Sequence, residues 1–161
     1  MTTLSTTDRI VAGYVRSSHS SHASKREAQQ QEIADACAQR GLPAPVFYED
    51  EMPAASDEQD ADRPAFQRLL QDVEAGRVQL IIVSTLDCWS RKMLTTLHSL
   101  CTLERHGTGF VSLGEGFDST TPEGKLQVAI MSAFVSRYPD VLAKIAEQDT
   151  DTEEGDEPPE M

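Results

Sequence analysis

The residues of this chain best suited to chemistry are Arg16, Ser17 and Ser18, which follow the short apolar run Gly13-Tyr14-Val15. A serine hydroxyl is a weak nucleophile and needs activation or a charge-stabilised target. An arginine two residues earlier suits that need, because its guanidinium is always protonated and offers a planar fork to two oxygens. A strand that carries Ser18 to its carboxyl edge, with Arg16 just before it, is a way to build a phosphate-attacking nucleophile. Charged side chains recur downstream as Glu49-Asp50-Glu51, Arg63, Asp87 and Arg91.

Other reactive residue types read more plainly. Cys88 would attack well as a thiolate, yet nothing near it in sequence lowers its pKa. His19 and His22 are spaced i, i+3 but lack Cys or His companions, so they read as loop histidines, and no metal or other cofactor is expected. Gly114-Glu115-Gly116 lacks the rest of a dinucleotide fingerprint and reads as a turn, and Trp89 is expected to pack against the sheet.

The elements that must position these residues alternate along the chain. Arg9 to Val15 and Val46 to Tyr48 read as short buried strands, and Val78 to Ser84 as a central one, apolar at nearly every position. Gly109 to Leu113 reads as a fourth. Lys25 to Arg40, Pro64 to about Ala75, Lys92 to His106 and Pro122 to Tyr138 read as helices; Gly41, Gly76 and Gly107 stop the first three. In the second, Phe66, Leu69, Leu70 and Val73 recur at helical spacing behind Pro64. Glu49 to Asp62 is acidic, contains Pro53 and shows no period, so a mobile loop is expected. Strand and helix in turn imply a three-layer α/β sandwich around a mostly parallel sheet of four to five strands. In such a sheet working groups gather outside the carboxyl ends of the strands. That edge would carry Arg16 to Ser18, Glu49-Asp50, Leu86-Asp87 and Gly114 to Asp118.

Composition bounds the class. The 161 residues suffice for one core, flanked by a flexible N-terminus over 1–8 and an acidic, disordered tail over 146–161, leaving a domain over 9–145. The net charge is −13 and unevenly spread. All 14 Lys and Arg lie at or before Lys144 against 19 of the 27 acids, whereas eight acids and no cation follow Ala146. A free-standing duplex binder normally shows a basic face, so DNA binding by this chain alone should be weak. Three unevenly spaced cysteines fit reduced thiols and a cytoplasmic setting. No apolar run approaches the roughly 20 residues that span a bilayer, so no membrane partner is expected.

Taken in order, these segments resemble the catalytic domain of the serine recombinases, the resolvase/invertase family. Tyr14-Val15-Arg16-Ser17-Ser18 is similar to its Tyr-x-Arg-x-Ser strand, and Phe47-Tyr48-Glu49-Asp50-Glu51 to its (F/Y)-x-(E/D)-D segment. Arg63-Pro64-Ala65-Phe66 is similar to the Arg-Pro that opens a helix, and Leu86-Asp87-Cys88-Trp89-Ser90-Arg91 to Leu-Asp-Arg-Leu-(S/G)-Arg. Ser119 to Lys125 resembles the Thr-x-Gly turn before the long dimerisation helix. The resemblance spans roughly residues 10 to 138 and implies cleavage and rejoining of DNA through a phosphoserine link. It implies Ser18 as nucleophile, with Arg16 and Arg91 on the phosphate. Asp87 would orient an arginine or aid proton transfer, and Arg63 and Asp50 would bind substrate. From the residues alone, Asp50 reads more readily as structural or solvated than as catalytic. The resemblance further implies DNA as partner and a homo- or hetero-oligomer formed through helix 122–138.

Two departures point to impaired catalysis. Cys88 stands where the family has an arginine beside Asp87, and a thiol offers neither a permanent cation nor a fork. Tyr138-Pro139 stands in place of a Glu-Arg pair on the long helix, and Pro139 should break or kink that helix. No helix-turn-helix, zinc ribbon or basic arm follows in this sequence. The competing expectation is therefore a non-enzymatic module that pairs with an intact recombinase or another protein. A nucleotide-binding protein would need a phosphate-cradling glycine loop, which the sequence lacks.

Overall fold

The computed structural model describes residues 9–18, 23–52, 63–140, 143 and 144. The N-terminus 1–8, His19 and His22, the segment 53–62 and the acidic tail 146–161 lie outside the described residues. The element order is β1 (Ile10–Ser18), α1 (Ala23–Gln39), β2 (Val46–Met52), α2 (Pro64–Glu74), β3 (Val78–Val83), α3 (Leu86–Trp89), α4 (Met93–Arg105), β4 (Gly109–Ser112), β5 (Phe117–Asp118) and α5 (Pro122–Arg137).

The strands form one sheet in the order β2-β1-β3-β4-β5. The first four run parallel and β5 antiparallel to β4. β1 and β3 lie inside and are apolar on both faces, as strands covered by helices on either side must be. Alternation sorts their side chains. Val11, Val15, Leu80 and Ile82 pack with Ile33 and Cys37 of α1. Ala12, Tyr14, Ile81 and Val83 face the other way, onto Phe66, Leu69 and Val73 of α2, Trp89 of α3, and Leu100 and Leu103 of α4. This is the expected three-layer sandwich. Gly13 permits the approach of β2, since a Cβ there would lie 2.9 Å from the Phe47 ring.

β2 differs from the expected loop over Glu49 to Asp62. The strand continues through Met52, with Arg16 opposite Asp50 and Ser18 opposite Met52. β1 itself extends to Ser18 and offers its backbone to a parallel partner, so acidic composition does not end the pairing. Tyr48 and Asp50 are buried while Glu49 and Glu51 are exposed, which is strand alternation carried by charged residues.

α5 packs on α4 and begins with Thr121, whose Oγ1 accepts from the Gly124 N–H at 3.1 Å. A Cβ on Gly124 would sit 1.7 Å from the Asp118 carbonyl oxygen, so no other residue fits that turn unchanged. The helix ends at Arg137; Tyr138, with φ −128° and ψ 55°, has left helical geometry ahead of Pro139. Val128 is buried, whereas Leu126, Ile130 and Phe134, spaced four apart, are exposed along one stripe. Among the described residues no helix is long and apolar enough to cross a membrane.

Candidate active site at the carboxyl edge of the sheet

Arg16 lies on the β1 face that carries Tyr14, one residue pair beyond it, and is 9% exposed. Its Nη2 donates to the main-chain carbonyl of Asp87 at 2.7 Å. The neighbouring helix braces its backbone: Gln29 Nε2 donates to the Arg16 carbonyl at 3.1 Å and Gln29 Oε1 accepts from the Arg16 N–H at 3.4 Å. Ser18 is the last residue of β1; its side chain is outside the described residues.

Asp87 is exposed in α3, the single turn that follows β3 at the same edge. Cys88 is half-buried, and the Thr85 hydroxyl donates to its sulfur at 3.3 Å. Trp89 turns inward, fully buried, with Nε1 donating to Ser99 Oγ at 2.8 Å. It stands edge-on to Tyr14, Phe66 and Phe110, so α3 is pinned to the core by its last residue. Ser90 does not cap α4 in the usual position; its Oγ accepts from the Lys92 N–H just ahead of that helix at 3.0 Å. Arg91 is exposed between α3 and α4.

Arg63 and Asp50 sit beneath this edge and are joined through Tyr14. The Arg63 guanidinium, fully buried, donates to the Tyr14 hydroxyl at 3.2 Å and to the Trp89 carbonyl, and lies 3.7 Å from the centre of the Phe66 ring. The Tyr14 hydroxyl in turn donates to Asp50 Oδ2 at 2.9 Å. The Asp50 carboxylate also accepts from the N–H groups of Ala65 and Phe66, each at 2.9 Å. Those are donors of the first turn of α2, and Arg63 at its N-cap position gives no side-chain cap. Asp50 thus caps a helix from a neighbouring strand. A buried cation and a buried anion share one phenol, which lowers the cost of removing both from water. Burial raises the Tyr14 pKa, against the pull of Arg63, so the phenol stays protonated and able to donate to Asp50.

The structure therefore brings Arg16 onto the Asp87 main chain and places Arg91 four residues further along that segment. It engages Arg63 and Asp50 with internal partners. Two residues to which the sequence assigns no individual role also shape the edge. Gln29 braces Arg16, and its only signal is a polar Gln run inside a helix. Glu115 accepts from the Leu86 N–H of α3. Among the described residues no group of three or more His, Cys, Asp or Glu could hold a metal ion.

The family model described as the resolvase N-terminal domain matches residues 11–152. The N-terminal catalytic domain of TP901-1 integrase is similar over 81% of this chain and 97% of its own, at 26% identity and TM-score 0.66. A resolvase family site-specific recombinase from Streptococcus pneumoniae shares the fold over 91% of this chain and 98% of its own, at 20% identity and TM-score 0.63. A serine recombinase from Sulfolobus solfataricus shares it at 17% identity and TM-score 0.52, over 86% of this chain and 94% of its own. No curated protein matches the chain at a comparable level. An arginine-bearing strand end, a one-turn helix across from it and a family match running from that strand through α5 make this chain a member of the resolvase family through its N-terminal domain.

Proposed function

We propose that this chain acts in site-specific DNA recombination, with Ser18 as the nucleophile of strand cleavage. The observation that carries the reading is the Arg16 guanidinium, oriented by the Asp87 carbonyl at the edge where β1 ends in Ser18. In the cleavage step the Ser18 oxygen attacks the scissile phosphorus and the bond to the sugar oxygen breaks. Ser18 gives up its proton and the departing sugar oxygen gains one, a transfer assigned to the carboxylate of Asp87, which follows β3 at the same edge. Arg16 and Arg91 offset the charge that builds on the phosphate oxygens. Rejoining runs the same step backwards, a sugar hydroxyl displacing the serine. In this reading Asp50 and Arg63 support the edge from below instead of touching DNA, because both are buried, Asp50 serves Tyr14 and α2, and Arg63 donates to Tyr14 and Trp89.

The same reading holds that catalysis is impaired, because Cys88 supplies no guanidinium beside Asp87. The test is a covalent protein–DNA adduct formed on a library of duplexes and resolved under denaturing conditions. A weak adduct that disappears in Ser18→Ala and grows in Cys88→Arg supports the reading. No adduct from either the parent or Cys88→Arg overturns cleavage, and a robust adduct from the parent overturns impairment.

A second reading is favoured by the exposed stripe of Leu126, Ile130 and Phe134 on α5. Here the chain pairs through α5 with a second copy or with an intact recombinase and regulates it without chemistry of its own. In that case Ser18→Ala leaves its effect on a partner unchanged, while a charge placed on the stripe removes it.

A further inference from the structure

We propose that Glu115 is a positioning residue for the cleavage site: it tethers the start of α3 and, through the Asp87 carbonyl, sets the direction of the Arg16 guanidinium. The inference rests on the reading of Arg16 as a phosphate clamp. A single helical turn is not stable by itself, since nucleation fixes several residues for one hydrogen bond. α3 therefore stays where its ends are held. Its last residue is held well, because Trp89 is buried, donates to Ser99 and accepts from Arg63. Its first residue has no local cap, for Thr85 at the N-cap position makes no capping side-chain bond.

Glu115 supplies the missing tether from the turn between β4 and β5. Its two carboxylate oxygens accept from the Leu86 N–H at 3.3 and 3.2 Å. Its Oε2 also accepts from the hydroxyl of Ser112, which is fully buried in β4. The loop that carries it is laced to the end of β3, where Leu113 N–H donates to Val83 at 3.0 Å and Gly114 N–H to Ser84 at 2.8 Å. Glu115 thus refers the start of α3 to the sheet, as Trp89 refers its end to the core. Asp87 lies between these two anchors, and its carbonyl is what Arg16 Nη2 meets. If the first anchor goes, that carbonyl can swing with α3 and the guanidinium loses a fixed acceptor.

The test uses the full chain with Glu115→Ala, Glu115→Gln and Ser112→Ala, each checked for an unchanged urea midpoint. Amide exchange at Leu86 and the NMR signals of the Arg16 guanidinium are read first, because they need no cleavage. The expected result is exchange at Leu86 about tenfold faster in Glu115→Ala, together with faster rotation of the Arg16 guanidinium than in the parent. Glu115→Gln keeps an acceptor oxygen and restores both signals, and Ser112→Ala moves them in the direction of Glu115→Ala by less. An Arg16 signal unchanged in Glu115→Ala overturns the proposal, whatever the adduct assay shows. In the adduct assay the expected loss in Glu115→Ala is also about tenfold. The double variant Arg16→Ala/Glu115→Ala should then be no slower than Arg16→Ala alone, and full additivity overturns the coupling. A parent protein that forms no adduct refutes the cleavage reading, while the NMR signals still decide the role of Glu115.

Discussion

Arg16 Nη2 meets the main-chain oxygen of Asp87 at 2.7 Å, so the backbone of α3 orients this guanidinium. A carbonyl is a fixed acceptor that does not titrate, and it does not neutralise the cation as a carboxylate would. In the proposed reaction that charge would meet the phosphate at the sheet edge. Substituting the Asp87 side chain therefore leaves the orientation of Arg16 in place, whereas substituting Arg16 removes the charge itself.

Arg16→Lys keeps a cation but loses the fork and the reach to the Asp87 carbonyl. Adduct formation should fall by about 10²- to 10³-fold, as for loss of one transition-state donor. The urea midpoint should move little, because the ammonium can reach water from the edge. Single-turnover adduct kinetics beside a urea titration check both halves.

Asp50→Ala deprives Tyr14 of its acceptor and two α2 amides of their cap, and removes the anion that buried Arg63 reaches through Tyr14. The expected loss is about 3–5 kcal/mol, the range for a buried charge left without its partner. Tyr14→Phe breaks only the link between the two charges and should cost about 1–3 kcal/mol. Because they share one network, the two substitutions together should cost less than their sum. Equilibrium unfolding in urea measures all three.

Alkaline stability should fall in a defined window. Burial, aided by the hydrogen bond to Asp72, pushes the Tyr48 phenol up to about 12 from an ordinary 10.0. The folded state holds that proton more tightly than the unfolded chain does. The resulting stability is whole below pH 10.0 and is lost as pH rises towards about 12. Tyr14, raised by burial as well, acts in the same sense. Tyr48→Phe should flatten the decline of the urea midpoint across this window, and an undiminished slope would show that other groups set it.

Ile130→Glu on the exposed stripe of α5 should weaken self-association at least tenfold while leaving the monomer fold intact. The side chain is 60% exposed, so little monomer packing is lost. Sedimentation velocity across a concentration series, with circular dichroism as control, reads the outcome. An unchanged distribution would move any pairing surface away from α5.

Much of the architecture was legible because burial writes itself into short-range pattern. The apolar run of β3 and the i, i+3, i+7 spacing of Phe66, Leu69 and Val73 behind Pro64 led to the observed elements. The carboxyl end of β2 was not legible, because Glu49-Asp50-Glu51 has the composition of a loop and becomes strand only beside an extended β1. α3 and β5 have four and two residues, too few for any period to show.

By itself the sequence determined which residues carry charge and hydroxyl, that strands alternate with helices, and that Arg16 and Ser18 directly follow the apolar run of the first strand. Tertiary structure alone decided what each charged group meets. Asp50 turns to α2 and Tyr14, Arg63 to Trp89, Arg16 to the Asp87 carbonyl and Glu115 to Leu86, contacts that join residues 15 to 71 positions apart. A local pattern reports which face of an element is apolar. It holds no record of which distant acceptor a buried donor will find, because that choice is made when the helices dock on the sheet and an enclosed polar group left unpaired is costly.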